Sequence, residues 1–471
     1  MQHPDPGSPD LSDRNVTRDL LGRYDRPGPR YTSYPTAVEF APIRPGIYES
    51  RLEESNRAAD APLSLYLHLP FCDHRCLFCG CHVIISPHKE KAAPYLELLK
   101  REVDLVAARL PDRRKVSQLH FGGGTPTYFT PGQLADLLEH LLERFEPQPG
   151  AELAVEVDPR VTTAEHIDTL ARFGFNRISL GVQDLTPEVQ EAVERIQSLE
   201  MTRAIVDRAR DKGYGGVNVD LIYGLPHQTP ETFEKTVEAV IAMGADRAAV
   251  YSFAFVPWMK AHMKKMGDGV LPDRDTKFDL FATARARFLA AGYEAIGMDH
   301  FAKPGDELAK ARREGRLRRN FMGYCVVPAP DMIGLGISAI GDVREAYIQN
   351  AKKLSDYRNA IEEDRLPAEK ELCRSGEDEL RRQVIHELMC NFKIDIPPVE
   401  RDHGIDFAEH FAEDLRRLRA HEKEGLVRIT PERIEATPVG ELFVRNLAMC
   451  FDVYWREKHE NSGESIFSRT V

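Results

Sequence analysis

At 471 residues the chain is longer than one ordinary hydrophobic core, which implies two or three domains or one large α/β barrel with additions. Apolar residues make up 42% and charged residues 29%, the balance of a globular protein, and a formal net charge of −12 argues against general nucleic-acid binding and against docking on acidic membranes. No apolar run is long enough for a bilayer, and the first residues, Met1 to Ser8, lack the apolar centre of a signal peptide. Eight cysteines without such a signal indicate a reducing, cytoplasmic setting in which metal or redox chemistry outranks disulfides.

Taken in chain order, residues 1–60 read as an N-terminal arm. Pro27-Gly-Pro-Arg-Tyr-Thr-Ser-Tyr-Pro-Thr36 holds too many prolines for a helix interior and suits a surface arm packed on the body. Residues 61–367 form that body. Strand-like runs are expected at Leu63–Leu69, Val116–Phe121, Leu153–Val157, Arg177–Gly181, Val217–Ile222 and Ala248–Phe253. Amphipathic helices alternate with them at Ala92–Arg109, Pro131–Arg144, Thr163–Phe173, Leu199–Lys212 and Pro230–Met243, several opened by capping residues such as Thr130-Pro131 and Thr229-Pro230. Repeated strand-helix units argue for a parallel barrel or open sheet, and polar and glycine positions fall at the strand ends, where such folds build active sites.

The first of these ends is Cys72-Asp-His-Arg-Cys76-Leu-Phe-Cys79-Gly-Cys81, four of the eight cysteines within ten residues. Thiols so close cannot all pair as disulfides without strain, and no second Cys pair follows to complete a zinc pattern. A soft metal centre fits better than a zinc loop or buried thiols. Three thiolates on a four-iron, four-sulfur cluster would leave one iron open to a substrate or cofactor.

Farther on, helix Asp275–Ala291 leads to Tyr293–Phe301, and Asp331–Gly341 reads as a strand and tight loop near the site; its Gly334-x-Gly336 completes no dinucleotide fingerprint. Residues 368–471 form a mostly helical C-terminal domain with a hairpin near Glu424–Thr430 and a last helix from Pro438 to Trp455. A winged helix-turn-helix has similar parts, but 22 acidic against 16 basic residues suit a structural cap better than a DNA reader.

The spacing Cys72-x3-Cys76-x2-Cys79 resembles the signature of radical S-adenosylmethionine (SAM) enzymes, which use a partial six-unit (β/α) barrel. With His68-Leu-Pro-Phe71 before it and Cys81 after it, the match is similar to the oxygen-independent coproporphyrinogen III oxidases. The likeness runs from Pro27 to Tyr454 through Gly122–Tyr128, Glu156–Arg160, Gly181–Asp184, Asp220–Pro226 and Gly297–Phe301. Val193-Glu-Arg-Ile-Gln197, without Asn before the arginine, and Met322 depart from it.

The resemblance implies a 4Fe-4S cluster on Cys72, Cys76 and Cys79 and a SAM bound to its open iron, which one electron cleaves to methionine and a 5′-deoxyadenosyl radical. Matching motifs place Tyr66, Gly123, Glu156 and Ile340 against that SAM. Phe78, Gly124, Thr125, Gln183, Arg195, Asp220 and Ala254 match contacts to a second SAM, with Phe78 between the two. Read alone, Arg195 among Glu188, Glu191 and Glu194 is a solvated helix charge, and Gly122–Thr125 is as readily a plain turn. Cys81 is not counted as a ligand but is expected to be needed for activity. The arm, by the same likeness, lies over the active site.

The implied substrate is coproporphyrinogen III, whose ring A and B propionates become vinyl groups of protoporphyrinogen IX. Arg30 and Arg319 are the choices for steering propionates, and His300 for a substrate contact. An electron donor such as flavodoxin or ferredoxin and a monomeric state are also implied. The rivals are a haem-trafficking chaperone of the same superfamily, expected to lack Cys81 and the arm, and a radical SAM haem methyltransferase.

Overall fold

A computed structural model describes residues 18–267, 269–326, 329–460, 467, 469 and 470; the first 17 residues assigned to the arm lie outside them. Six parallel strands form the centre: β1 (Leu63–Leu69), β2 (Lys115–Gly123), β3 (Glu146–Val157), β4 (Arg177–Gln183), β5 (Gly216–Tyr223) and β6 (Arg247–Ser252), adjacent in that order. Between them run α1 (Ala93–Ala107), α2 (Pro131–Leu142), α3 (Ala164–Arg172), α4 (Leu199–Asp211) and α5 (Pro230–Ala242), with α6 (Arg274–Ala290) after β6. The alternation of each strand explains the packing. Leu63, Leu65, Leu67 and Leu69 of β1 are almost fully buried, as are Leu119 and Phe121, Val155 and Val157, and Val217, Val219 and Leu221 on its neighbours. Residues of the opposite parity, Tyr66, His120, Glu156, Ser179 and Asp220 among them, are polar. The apolar parity packs under the helices, and the polar parity lines the barrel interior.

Helix starts follow local chemistry. Thr130, Thr163 and Thr229 each accept a backbone N–H of the first turn in a reciprocal capping box, a contribution of about 1 kcal/mol apiece. Leu134, Leu137, Leu138 and Leu141 then put one stripe of α2 into the core.

The sheet extends past both sides of this run to thirteen strands. Beside β1 lie β7 (Asp331–Leu335), parallel to it, then β8 (Ile340–Val343), β9 (Ala346–Asn350) and β10 (Ala368–Cys373), antiparallel to one another, and finally Ala41–Pro42 of the arm. Beside β6 lie His300–Ala302 and Glu294–Gly297, both antiparallel additions. The boundary expected at residue 368 therefore cuts ahead of β10, whose backbone bonds hold it to β9.

The C-terminal region starts with α7 (Gly376–Asn391), continues through helices Ile396–His403, Phe407–His410 and Ala412–Lys423, and contains a three-stranded sheet of Lys393–Asp395, Arg433–Ala436 and Val427–Ile429. The single last helix expected from Pro438 to Trp455 is instead three short pieces, Gly440–Phe443, Val444–Met449 and Trp455–His459. Asp452 interrupts the last two by taking the Trp455 N–H on its side chain at 2.9 Å.

The arm divides its contacts. Tyr48 and Leu52 of helix Ile47–Asn56 join the barrel core, whereas Leu20, Leu21, Tyr24, Tyr31 and Tyr34 are buried in the C-terminal core. No helix among the described residues is long and apolar enough to cross a membrane.

Candidate active site

The cysteine loop leaves β1 through Phe71–Cys72, which pairs in parallel with Ile84–Ile85 and closes the loop at its base. The Ile84 N–H reaches the Pro70 carbonyl at 2.8 Å and the Ser86 N–H the Cys72 carbonyl at 3.0 Å. Within the loop, buried Leu77 donates its N–H to Val193 at 3.0 Å. Cys76 is buried, Cys72 and Cys79 are half-buried, and Cys81 is exposed. Burial pushes the Cys72 thiol up to about 11 against a 3.4 Å contact with the Thr125 hydroxyl. A hydrogen bond from Cys81 pulls Cys79 down to about 6 and leaves Cys81 well above its ordinary value.

Cys76 meets two guanidinium groups. Arg160 Nη2 lies 3.4 Å and Arg195 Nη1 3.6 Å from its sulfur. Asp158 binds both arginines, Arg195 Nη1 at 2.9 Å and Arg160 Nη2 at 2.7 Å. Burial opposes the Asp158 charge, but Arg195 and Arg160 outweigh it and hold the carboxyl below its usual range. Arg195 also donates to the Gly181 carbonyl at 2.6 Å, and its buried Nε has no partner among the described residues.

The glycine segment at the end of β2 leaves no room for side chains. A Cβ on Gly123, at φ +111°, would lie 2.6 Å from the His68 ring, and one on Gly124 would lie 2.5 Å from the Pro70 carbonyl. Glu156, at the end of β3, faces this segment. It accepts the Gly123 N–H at 3.2 Å and meets His120 Nε2 at 3.2 Å. Burial raises the Glu156 carboxyl, but His120 and the Gly123 N–H more than compensate and leave it lowered. Tyr66 stacks on His120 at 5.9 Å. Asp220 accepts from Ser179 at 3.1 Å and from Asn218 at 2.9 Å; burial, then Glu156, pushes it up to about 6.

Of the residues expected in the site, Cys72, Cys76, Phe78, Cys79, Cys81, Gly123, Gly124, Thr125, Glu156, Gln183, Arg195 and Asp220 line one cavity of about 180 Å³. Tyr66, Ala254 and Ile340 stand off its wall. Ile340 begins β8 with its carbonyl against Gly334, and Gly334 is the β7 partner of Tyr66. Asp158 and Arg160 also line this cavity. They lie within a motif that the sequence displays, Glu156–Arg160, but carry no expected role; the signal was an acid two residues past Glu156 on the same side of a strand end.

The cavity's donor set fits the expected cofactors. Three thiols on one loop share it with a glycine segment that carries no side chains, with a carboxylate and with an orphaned guanidinium N–H. Such a set suits an iron–sulfur cluster beside a ligand that carries both an amino and a carboxylate group.

Arg30, Arg319 and His300 gather beyond β6. Arg30 Nη2 donates to Ser252 at the β6 end at 3.2 Å and its Nη1 lies 3.6 Å from Asp299. Arg319 bonds the Arg30 carbonyl, and His300 Nδ1 meets Asp299 at 2.7 Å. Arg30 also lines a larger cavity of about 570 Å³, between the arm, α6 and residues 442–445, with Lys277 and Arg445. Lys277 donates to the Phe253 carbonyl at 3.1 Å, and burial draws it down to about 8. The buried Arg445 guanidinium bonds the carbonyls of Gly28, Pro29 and Arg469, with no ion pair among the described residues.

Comparison with known proteins agrees with this geometry. Residues 66–240 match the model of the radical SAM superfamily, and residues 375–443 that of the HemN C-terminal domain. The oxygen-independent coproporphyrinogen III oxidase of Salmonella typhimurium is 43% identical over 452 residues, covering 95% of this chain and 98% of that protein. The protein of the same name from Helicobacter pylori strain J99 is 43% identical over 468 residues, covering 97% and 100%. Among solved structures, the coproporphyrinogen III oxidase HemN of Escherichia coli, described as a radical SAM enzyme, superposes with a TM-score of 0.87 at 42% identity, covering 90% of this chain and 97% of that one.

Proposed function

The chain belongs to the oxygen-independent coproporphyrinogen III oxidases, a radical SAM family, and from that membership we propose how its own residues serve the reaction. The enzyme oxidatively decarboxylates the ring A and B propionates of coproporphyrinogen III to vinyl groups, yielding protoporphyrinogen IX in haem biosynthesis. Its cofactors are a 4Fe-4S cluster and SAM. When bound, they supply one-electron chemistry: a carbon radical that removes a hydrogen atom from a propionate side chain.

Cys72, Cys76 and Cys79 hold the cluster in this reading. Arg160 and Arg195 donate toward the Cys76 sulfur and offset thiolate charge, while Asp158 keeps both in place. Glu156, held ionised, receives the SAM amino group beside the glycine segment, with Tyr66, Gly123 and Ile340 completing that pocket. A second SAM falls to Phe78, Gly124, Thr125, Gln183, Arg195, Asp220 and Ala254. The unpartnered Arg195 Nε offers a donor to its carboxylate, and Asp220, ionised at neutral pH, accepts ribose hydroxyls. Cys81 stays off the cluster but is needed for turnover.

The cations Arg30, Lys277 and Arg445 around the larger cavity receive substrate propionates, with Arg319 bracing the Arg30 backbone. A flavodoxin or ferredoxin supplies the electron, and the enzyme acts as a cytoplasmic monomer. We place the division between body and C-terminal domain after Cys373, where the sheet ends.

The observation that carries this reading is the convergence of the three loop cysteines, Glu156, Arg195 and Asp220 on one cavity at the carboxyl ends of parallel strands. An anaerobic assay of reconstituted protein with SAM, a reductant and coproporphyrinogen III tests it. Carbon dioxide and protoporphyrinogen IX from the wild type, and neither from Cys76→Ser, is the expected result. An intact cluster that cleaves SAM without decarboxylation would refute the substrate assignment.

A further inference from the structure

The segment after β6 is unlike its surroundings. From Phe253 to Gly267 it carries Lys260, His262, Lys264 and Lys265 and no acidic residue, in a chain of net charge −12. Lys264 and Lys265 are exposed, and so are Trp258, at 58%, and Met259, at 61%. A solvated charge run needs no large apolar side chains in water beside it. Exposed Trp and Met in the same short segment as several cations is the make-up of a contact surface.

This surface is fixed to the cysteine loop. Met263 and Met266 are buried in a small cluster with Leu77, Val189, Val193 and Phe253, and Leu77 stands between Cys76 and Cys79. Lys260 Nζ donates to the Cys81 carbonyl at 3.2 Å, and His262 Nε2 lies 2.9 Å from the Cys79 carbonyl. Exposed His74 and half-buried Arg75, from the loop itself, add to the basic side. The cationic face thus overlies the backbone of the loop whose thiols hold the cluster.

We propose that Trp258, Met259, Lys260, Lys264 and Lys265 form the docking surface for a small acidic one-electron carrier protein. The proposal rests on the assignment of Cys72, Cys76 and Cys79 as cluster ligands. In the step it serves, one electron leaves the reduced carrier and one enters the cluster; no bond forms or breaks. The charge asymmetry selects an acidic partner from solution and speeds encounter, while Trp258 and Met259 supply the dry centre of a small, short-lived interface.

The test uses the full-length, cluster-loaded protein, flavodoxin as the acidic carrier, and the double variant Lys264→Glu with Lys265→Glu. Both positions are exposed, so folding and cluster content, checked by circular dichroism and the cluster absorbance, stay at wild-type levels. Calorimetric titration with flavodoxin is expected to give binding that weakens with added salt in the wild type and is about tenfold weaker in the variant. Product formation driven by reduced flavodoxin should fall by about the same factor, while that driven by dithionite stays within about twofold. Charge-keeping Lys264→Arg with Lys265→Arg should restore binding. Salt-insensitive or absent flavodoxin binding to the wild type, or equal binding by the Glu variant, overturns the proposal. So does a parallel loss under both reductants with a raised substrate KM, which would give these lysines to the anionic substrate. Failure of wild-type SAM cleavage with dithionite would instead refute the cluster assignment beneath it.

Discussion

Cys76 lies within hydrogen-bond reach of two guanidinium groups that share one carboxylate, and Arg195 also donates to the Gly181 carbonyl across the cavity. Arg195→Lys keeps the charge but cannot contact Cys76, Asp158 and Gly181 at once. We expect it to keep the cluster, read by its absorbance, and to lower turnover by at least about tenfold, the loss of one charge-assisted hydrogen bond. Asp220 illustrates the cost of a buried carboxylate. Its folded value of about 6 lies above the ordinary 3.8, so the folded protein holds a proton that the unfolded chain has lost between these values. Stability therefore falls as pH rises through that window and stays reduced above it. Asp220→Asn should stabilise the ligand-free protein at pH 7 by on the order of 1–3 kcal/mol, shrinking toward pH 4, while weakening SAM binding. Unfolding in denaturant at the two pH values, with SAM titration, checks both.

At the scale of elements, the barrel was legible because each strand carries two messages at once. Apolar positions of one parity in β1 to β5 call for covering helices, and the polar residues between them have nowhere to go but inward. Thr-Pro starts marked helices just as plainly. Contacts assembled from separate loops were not legible: Asp158, Arg160, Arg195 and Cys76 come from three strand ends, and no local pattern announces their meeting. Of the added strands, β7 was legible as the strand that opens Asp331–Gly341, but those beyond it were hidden. β8 and β9 are short, and β10, polar as an edge-side strand can be, lies at the start of the stretch whose helices are rich in Arg, Glu and Leu. One buried pair locks this side. Arg113, just before β2, and Asp331, opening β7, are 0% and 1% exposed, and Arg113 also bonds the carbonyls of Ser55, Ala61 and Pro62. Asp331→Ala leaves a buried guanidinium without its counter-charge. It should cost about 3–5 kcal/mol in denaturant unfolding, although the pair is remote from the cysteines.

For the whole molecule, the arm is a seam and not a surface ornament. Its tyrosines are buried in the C-terminal core, its helix Ile47–Asn56 in the barrel core, and Arg30 between them touches the end of β6. Tyr31 donates to Asp452 at 3.0 Å. Tyr31→Phe should therefore lower stability by about 1–2 kcal/mol and loosen the larger cavity, seen as a raised substrate KM with less change in kcat. The same cavity predicts a pH limit. Lys277 is charged below about 8 and neutral above it, so affinity for the anionic substrate should fall as pH rises past 8. Lys277→Arg should carry binding to higher pH, measured by titration with a coproporphyrin analogue.

The larger cavity is walled from both far ends of the described chain. Pro27 pairs with Arg469, the Thr470 N–H reaches the Arg26 carbonyl at 2.9 Å, and Arg445 gathers the carbonyls of Gly28, Pro29 and Arg469. During translation at roughly 5–20 residues per second, residue 469 leaves the ribosome roughly 20–90 s after residue 27. Until then the cavity that holds Arg30, Lys277 and Arg445 lacks this wall. The cavity that the cysteines line draws on residues between Cys72 and Asp220, so all of its parts are made before the larger cavity can close.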